Sequence, residues 1–278
     1  MDDYHRVLDL LVEGRRAGRP RPIAGAVLRS TVGGKGVRFL APMPRTIDVK
    51  FGEVVTELCW NLTGSTNANA LSEDGVTRWD RIATWDECSC FGRRQGDLGP
   101  VEGAQWRRAG SGRHDQLRQL LTSIRDRPSA PDKVASMWQI DDLGAVSELP
   151  RFLSFQAVVV DGPDGPSLDL LAHQREADWI EDVPRDRTLC SVLLAMLSRV
   201  TGVRAGDLTH TFGQVKLRRL DVAEKMLDQA RTASQEHFDP VEFVVAHEFD
   251  LLRPDRRLVR LASPYQPTPR DLSAPERA

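Results

Sequence analysis

The chain reads as a single α+β domain, a large twisted mixed sheet flanked by helices, and three observations predict it. Apolar residues recur at helical spacing in several separate stretches, β-like runs lie between them, and no linker or internal repeat divides the chain. Residues 1–262 are expected to form the domain, and 263–278, rich in Pro, Arg and Ser, a mobile tail. A chain of 278 residues can bury a sizeable core.

In chain order, Tyr4, Val7, Leu8, Leu10 and Leu11 give a first helix over 4–13, which Gly14 to Pro22 breaks. Short β-like pieces follow from Val27 to Leu40 around a Gly-Gly pair. Helical spacing returns from Phe51 to Trp60 and ends in the turn-rich Asn61–Asn67, and 80–100 form a polar loop. Leu117, Leu120, Leu121 and Ile124 mark one face of a helix over His114–Arg127. Strand-like runs cover Val134–Gln139, Phe152–Asp161 and Ser167–His173, the last two joined by the hairpin chemistry of Asp161-Gly-Pro-Asp-Gly165. A helix over Arg187–Thr201 is apolar nearly all round and therefore buried, and another runs from Arg219 to Ala233.

With 40% hydrophobic and 28% charged residues, the composition is that of a soluble globular protein. No apolar run reaches the eighteen or so residues needed to span a bilayer, and the N-terminus lacks a signal-peptide block, so a cytoplasmic protein is expected. A net charge of −2 gives no pull toward nucleic acid or membranes. Cys59, Cys88, Cys90 and Cys190 are too scattered for a disulfide framework, and Cys88-Ser-Cys90 lacks accompanying metal-ligand spacing, so no metal is expected.

Several longer segments carry more. Glu57-Leu-Cys-Trp-Asn-Leu-Thr-Gly-Ser-Thr-Asn-Ala68 resembles the ELLWFLxGxTNA segment of thymidylate synthases, and Gly75-Val-Thr-Arg-Trp-Asp80 resembles their GVxIWD. Gly96-Asp-Leu-Gly-Pro-Val-Glu-Gly-Ala-Gln-Trp-Arg107 matches GDLGPVYGxQWR except at one position. Asp115-Gln-Leu117, Gln174-Arg175 with Asp178, and Gly206-Asp-Leu-Thr-His-Thr-Phe-Gly213 fall where that family has DQL, QRSxD and PGDFVHTLG. These segments are collinear over about residues 4–260, and the chain is identified on them as similar to the thymidylate synthase and pyrimidine hydroxymethylase family.

The resemblance implies a homodimer with sheets stacked back to back, and a cleft binding a pyrimidine nucleotide beneath 5,10-methylenetetrahydrofolate. It implies one-carbon transfer to C5 of the ring, for which the family adds a cysteine thiolate at C6 to make that carbon nucleophilic. The family's LPPCHxxxQF segment corresponds to Leu149-Pro-Arg-Phe-Leu-Ser-Phe-Gln156, which puts Arg151 at the nucleophile and Phe152 at the following histidine. Neither can perform Michael addition. Ser154 faces the opposite side of a strand, Cys190 sits on the following helix, and Cys59 leaves the helix of Glu57 on another face.

By the same resemblance Glu57, Glu102 and Arg151 hold the catalytic positions, with Glu102 in place of a tyrosine. Trp79, Leu98, Gly99 and Asp178 hold the cofactor side. Arg175, Glu176, Asp186, Gln214, Lys216 and Arg218 hold the acceptor side. There Glu176 replaces a phosphate-binding serine and Lys216 and Arg218 replace ribose-contacting histidine and tyrosine. The partner-subunit arginines of the family fall at Pro131-Asp132, and its phosphate loop at about 22–27 is unrecognisable. Glu176 and Arg175 could equally form a salt bridge. Asp186, in Pro184-Arg-Asp186 where the family has PFN, suits the amino-bearing edge of cytosine, or caps the following helix.

Three functions stay open. The first is transfer of a hydroxymethyl or methyl unit from methylenetetrahydrofolate to a pyrimidine-like or other electron-rich acceptor without a cysteine, in specialised metabolism such as nucleoside-antibiotic assembly. The second is an inactive homologue serving as a binding or scaffold protein, and the third a cytidylate hydroxymethylase with an unfamiliar nucleophile. The folate half is expected to be better kept than the nucleotide half, and hydroxymethyl is the expected product.

Overall fold

The computed structural model describes residues 3–18, 22–44, 47–112, 114–232 and 238–264. In chain order the elements are α1 (Asp3–Arg16), β1 (Ile23–Thr31), β2 (Gly34–Lys35), β3 (Arg38–Pro44), α2 (Phe51–Thr63), α3 (Asn69–Glu73), α4 (Trp85–Ser89), α5 (Glu102–Gly112) and α6 (Gln116–Asp126). They continue as β4 (Val134–Ser136), β5 (Phe152–Val160), β6 (Ser167–Asp178), α7 (Val183–Thr201), β7 (Arg204–Lys216), α8 (Leu220–Thr232), β8 (Phe238–Val245) and β9 (Val259–Leu261).

One sheet has the strand order β1-β7-β6-β5-β4 and a second β2-β3-β8-β9. Among the described residues only β6 and β7 pair in parallel, the 19-residue α7 crossing between them. On β6 the residues Leu168, Leu170, Ala172 and Gln174 are buried, while the alternate Leu171 and His173 are exposed. The buried face meets α7, α2 and α6 in the main core, with Leu58, Leu62, Leu120, Phe155, Leu193 and Phe243 among its members. Helix α7 is buried from Val183 to Ser198 with a gap only at Arg185, which agrees with its all-round apolar pattern. A second core joins α1 and α8 to the ends of β1 and β7, where Trp179 stacks on Tyr4 at 5.0 Å.

Helix α2 stops at Gly64, whose φ of 71° is left-handed and whose N–H reaches the Asn61 carbonyl at 2.9 Å. A Cβ there would lie 2.8 Å from Arg107 Cβ, and Arg107 itself bridges the Leu62 and Leu252 carbonyls. Gly64→Ala is therefore expected to cost at least about 1–2 kcal/mol in urea denaturation. A loss below about 0.5 kcal/mol, within the range of ordinary surface substitutions, would mean that neither the left-handed turn nor the contact matters.

Three expectations are revised. The strand from Val134 stops at Ser136 and a 3₁₀ turn follows at Ile140–Ala145. The long helix starts at Val183, four residues early, with Asp182 at its N-cap position, so Asp186 lies inside the first turn and does not cap it. Strand β7 and helix α5 were not expected as such. The expected tail lies outside the described residues from 265 onward. No helix among the described residues is long and apolar enough to cross a membrane.

Candidate active site

Helix α2 carries Glu57 into the protein between Val54, Val55 and Leu58, with no exposed surface. Its carboxylate is met by Arg185, by Arg78 at 3.4 Å and by Arg151 at 3.7 Å. Asp186, also fully buried, accepts from Arg151 Nη1 on both oxygens, at 2.9 and 2.7 Å. Gln174 Nε2 at 2.8 Å and Arg185 Nη1 at 3.1 Å complete its partners. Arg151 sits at the start of β5, where Glu102 from the start of α5 accepts the backbone N–H groups of Arg151 and Phe152 with one oxygen. Five charged side chains from α2, the loop after α3, β5 and α7 thus form one closed network.

Their protonation follows from this geometry. Burial alone would raise the Asp186 carboxyl, but Arg151, Arg185 and Arg78 overcome it and hold it down at about 2. Burial disfavours the Arg151 cation, yet Asp186, Glu102 and Glu57 more than compensate, so its guanidinium stays charged. Arg78 is shifted the other way, by burial and then by its like-charged neighbours Arg151 and Arg185, with Glu57 opposing. Burial pushes Glu102 up, and Arg151 and the two N–H groups only partly offset this.

The remaining expected positions fall into separate groups. Glu176 binds Arg175 at 3.2 Å, Lys216 at 3.3 Å and Gln214 at 3.3 Å, a partly exposed cluster on β6 and β7. Burial works against the Glu176 charge, but these partners lower its pKa, so the salt-bridge reading of Arg175 and Glu176 is the observed one. Arg218 stands apart, 3.6 Å from Glu181 and largely exposed. Asp178 has no exposed surface: Oδ1 accepts from Ile180 and Glu181 N–H at 3.0 Å, and Oδ2 from Arg218 N–H at 2.8 Å. Trp79 and Leu98 are packed in a third small core with Trp60 and Val76, and Gly99 lies against the Arg93 guanidinium.

The thiols lie elsewhere. Cys59 opens onto a groove of about 520 Å³ lined by Thr56, Asp255 and Arg256, and burial pushes it up to about 12. Cys190 is in the main core one turn after Asp186, and burial raises it well above an ordinary thiol. Neither is a thiolate nucleophile at neutral pH. Cys88 is buried against the Ile82 carbonyl at 3.8 Å, and Cys90 is exposed just past the end of α4. Among the described residues, no group of three His, Cys, Asp or Glu is placed to hold a metal.

Arg78, Arg185 and Gln174 were missed as site residues. The signal was present for the two arginines, because each stands where a quoted family segment has an apolar residue, Ile in GVxIWD and Phe in PFN. Gln174 carries no such signal beyond its place in the QRSxD-like segment.

A mixed sheet with a buried, charge-lined site at the starts of β5 and α7 defines an α+β protein organised around a polar cleft. The description Thymidylate synthase is that of the family whose profile matches residues 29–250, and the chain belongs to this family. Family members are dimers that bind small molecules and carry out folate-dependent one-carbon transfer, using methylenetetrahydrofolate. Asp178, which the resemblance sets on the cofactor side, accepts three backbone N–H groups here, and the cleft beside Arg185 holds about 140 Å³, below the roughly 300 Å³ or more of pockets for drug-sized ligands.

Proposed function

We propose that this chain is a thymidylate synthase homologue that binds a small molecule in its cleft without the family's covalent chemistry. One observation carries the reading: Arg151, which the resemblance sets at the nucleophile's place, is held by Asp186 and Glu57. The groups that would activate a ring, move its protons and read its edge are each satisfied by the protein itself. A dimer is part of this proposal. The register sets Gln156, Leu171, Thr209 and Arg29 in one row and Ser154, His173, Thr211 and Val27 in the next, on the sheet face away from the core. Leu171 and Val27, each about 40% exposed, lie within this face.

A second reading is one-carbon transfer to an acceptor already electron-rich, such as an aminopyrimidine, pyrrole, indole or enamine, in specialised metabolism. It is favoured by the buried charges. Well-packed apolar residues would be as stable as this ion network or more so, so a pure scaffold has no stability reason to keep it. Its presence favours a working polar site.

The two are separated by incubating the protein with labelled formaldehyde, tetrahydrofolate, and cytidine, cytidylate or the free bases. The binding reading expects no label in any base, no protein adduct in denaturing mass spectrometry and no heat on titrating tetrahydrofolate. Label incorporation that survives replacement of all four cysteines by alanine would instead establish the cysteine-free transfer.

A further inference from the structure

Away from the buried ions, helix α2 presents a second face. Thr56, Cys59, Trp60 and Thr63 recur at three- and four-residue spacing and form one stripe along it. That stripe floors the groove of about 520 Å³, whose other walls are Ala70 and Leu71 of α3, its C-cap Asp74, and the Pro254-Asp-Arg256 segment. None of these residues belongs to the ion network or lines the cleft beside Arg185. The volume falls within the roughly 300–1,000 Å³ of small-molecule pockets. Most of the lining is apolar or already engaged. Burial keeps the Cys59 thiol neutral, so it counts as a small hydrophobe beside Leu71 and Pro254. The Thr56 and Thr63 hydroxyls donate to the Gly52 and Trp60 carbonyls, and the Trp60 indole N–H to that of Asn67. Both oxygens of Asp255 are held by Arg257. That leaves a single ion pair.

Arg256 Nη2 donates to Asp74 Oδ1 at 2.6 Å, and Nη1 to Thr56 Oγ1 at 3.2 Å. Among the described residues, Arg256 Nε and Asp74 Oδ2 have no hydrogen-bond partner. A balanced pair has no preference for a simple anion or a simple cation, and the engaged hydroxyls leave little for a sugar. What it matches is a molecule carrying both charges one carbon apart. We propose that the groove is a second small-molecule site, taking an α-amino acid with an apolar side chain. Its carboxylate lies on the Nε–Nη2 edge of Arg256, its ammonium on Asp74, and its side chain against Cys59, Leu71 and Pro254. Nη1 stays on Thr56 and keeps the guanidinium in place. Entry costs little, because the two side chains are 45% and 41% exposed and such a pair contributes little by itself. The bidentate contact with the incoming carboxylate is the stronger one.

This site is independent of the reading above, since the groove and the cleft share no residue. L-phenylalanine and L-leucine are titrated into the whole chain by calorimetry. Beside them run their amides, which lack the carboxylate, their N-acetyl derivatives, which lack the ammonium, and glycine, which lacks the side chain. The better of the two amino acids is expected to bind at least about tenfold more tightly than glycine and than its own derivatives. Asp74→Asn and Arg256→Gln, both at part-exposed side chains, are each expected to lose about tenfold or more. Ala70→Trp, which fills the groove from an exposed position of α3 without touching a charge, is expected to abolish binding with circular dichroism unchanged. Absence of heat from both amino acids at millimolar concentration, equal binding of an amide or N-acetyl derivative, or full affinity in folded Asp74→Asn, Arg256→Gln or Ala70→Trp would each overturn the assignment.

Discussion

Arg151→Met is expected to lower the unfolding free energy by about 3–5 kcal/mol, the usual cost of removing one partner from a buried ion cluster. Asp186 would keep only Gln174 and Arg185, and Glu57 only Arg185 and Arg78, with both carboxylates still out of water. The size of the loss should depend on Asp186. In Arg151→Met/Asp186→Leu the orphaned charge goes too, and most of the stability should return, because apolar packing of similar volume replaces a buried pair at little net cost. Urea denaturation of the two single variants and the double variant measures this cycle. A double variant as weak as the sum of the singles would show that Arg151 and Asp186 do not act as a pair. Arg151→Cys, which restores the family's residue type, is expected to lose stability similarly and to form no thymidylate, since Glu102 is still no tyrosine and Asp178 is still sealed.

The second large effect is on pH. His210 on β7 has no exposed surface and stacks between Phe212 at 4.1 Å and Phe152 at 5.6 Å, with neither ring nitrogen hydrogen-bonded. Burial, reinforced by Arg187, pushes its pKa down to about 3, against about 6.5 in an unfolded chain. The unfolded state therefore takes up a proton that the folded state refuses. Stability from this group is complete above pH 6.5 and falls as pH drops toward 3, by up to about 1.4 kcal/mol per pH unit. Denaturation curves between pH 7.5 and 4 should show that slope, and His210→Phe should flatten it by close to one proton. Identical slopes in the two proteins would place the acid sensitivity in other groups.

Much of this was legible in the sequence, for identifiable reasons. The helical periods at 4–13, 51–60 and 114–127 and the hairpin at Asp161–Gly165 are local signals, and each produced its element. The assignment of Arg151 to the nucleophile's position rests on Leu149-Pro and Gln156, which fix the frame of the resemblance on both sides of it. Strand β7 was not, because a histidine sits between Leu208 and Phe212 in its buried row and glycines interrupt its pattern. Asp178 shows the deeper limit. An aspartate that tethers a turn through backbone N–H groups and one that holds a ligand are the same letter in the same motif, and only the partners of its oxygens distinguish them. The five-charge network was within reach: Arg at two apolar family positions, beside acids elsewhere, is a compensated pattern that becomes visible only when the departures are read together.

The pairing of β1 with β7 has a consequence for synthesis of the chain. Ile23 finds its partner Val215 about 190 residues later, and β3 likewise waits for β8. At ordinary translation rates that interval is roughly 10–40 s. Through it the emerging N-terminal third carries β1 unpaired and β3 paired only with the two-residue β2, their apolar sides uncovered. The nascent chain is thus exposed to strand-mediated aggregation on the ribosome, and its yield in cells should depend on chaperones that hold this third until the last strands arrive.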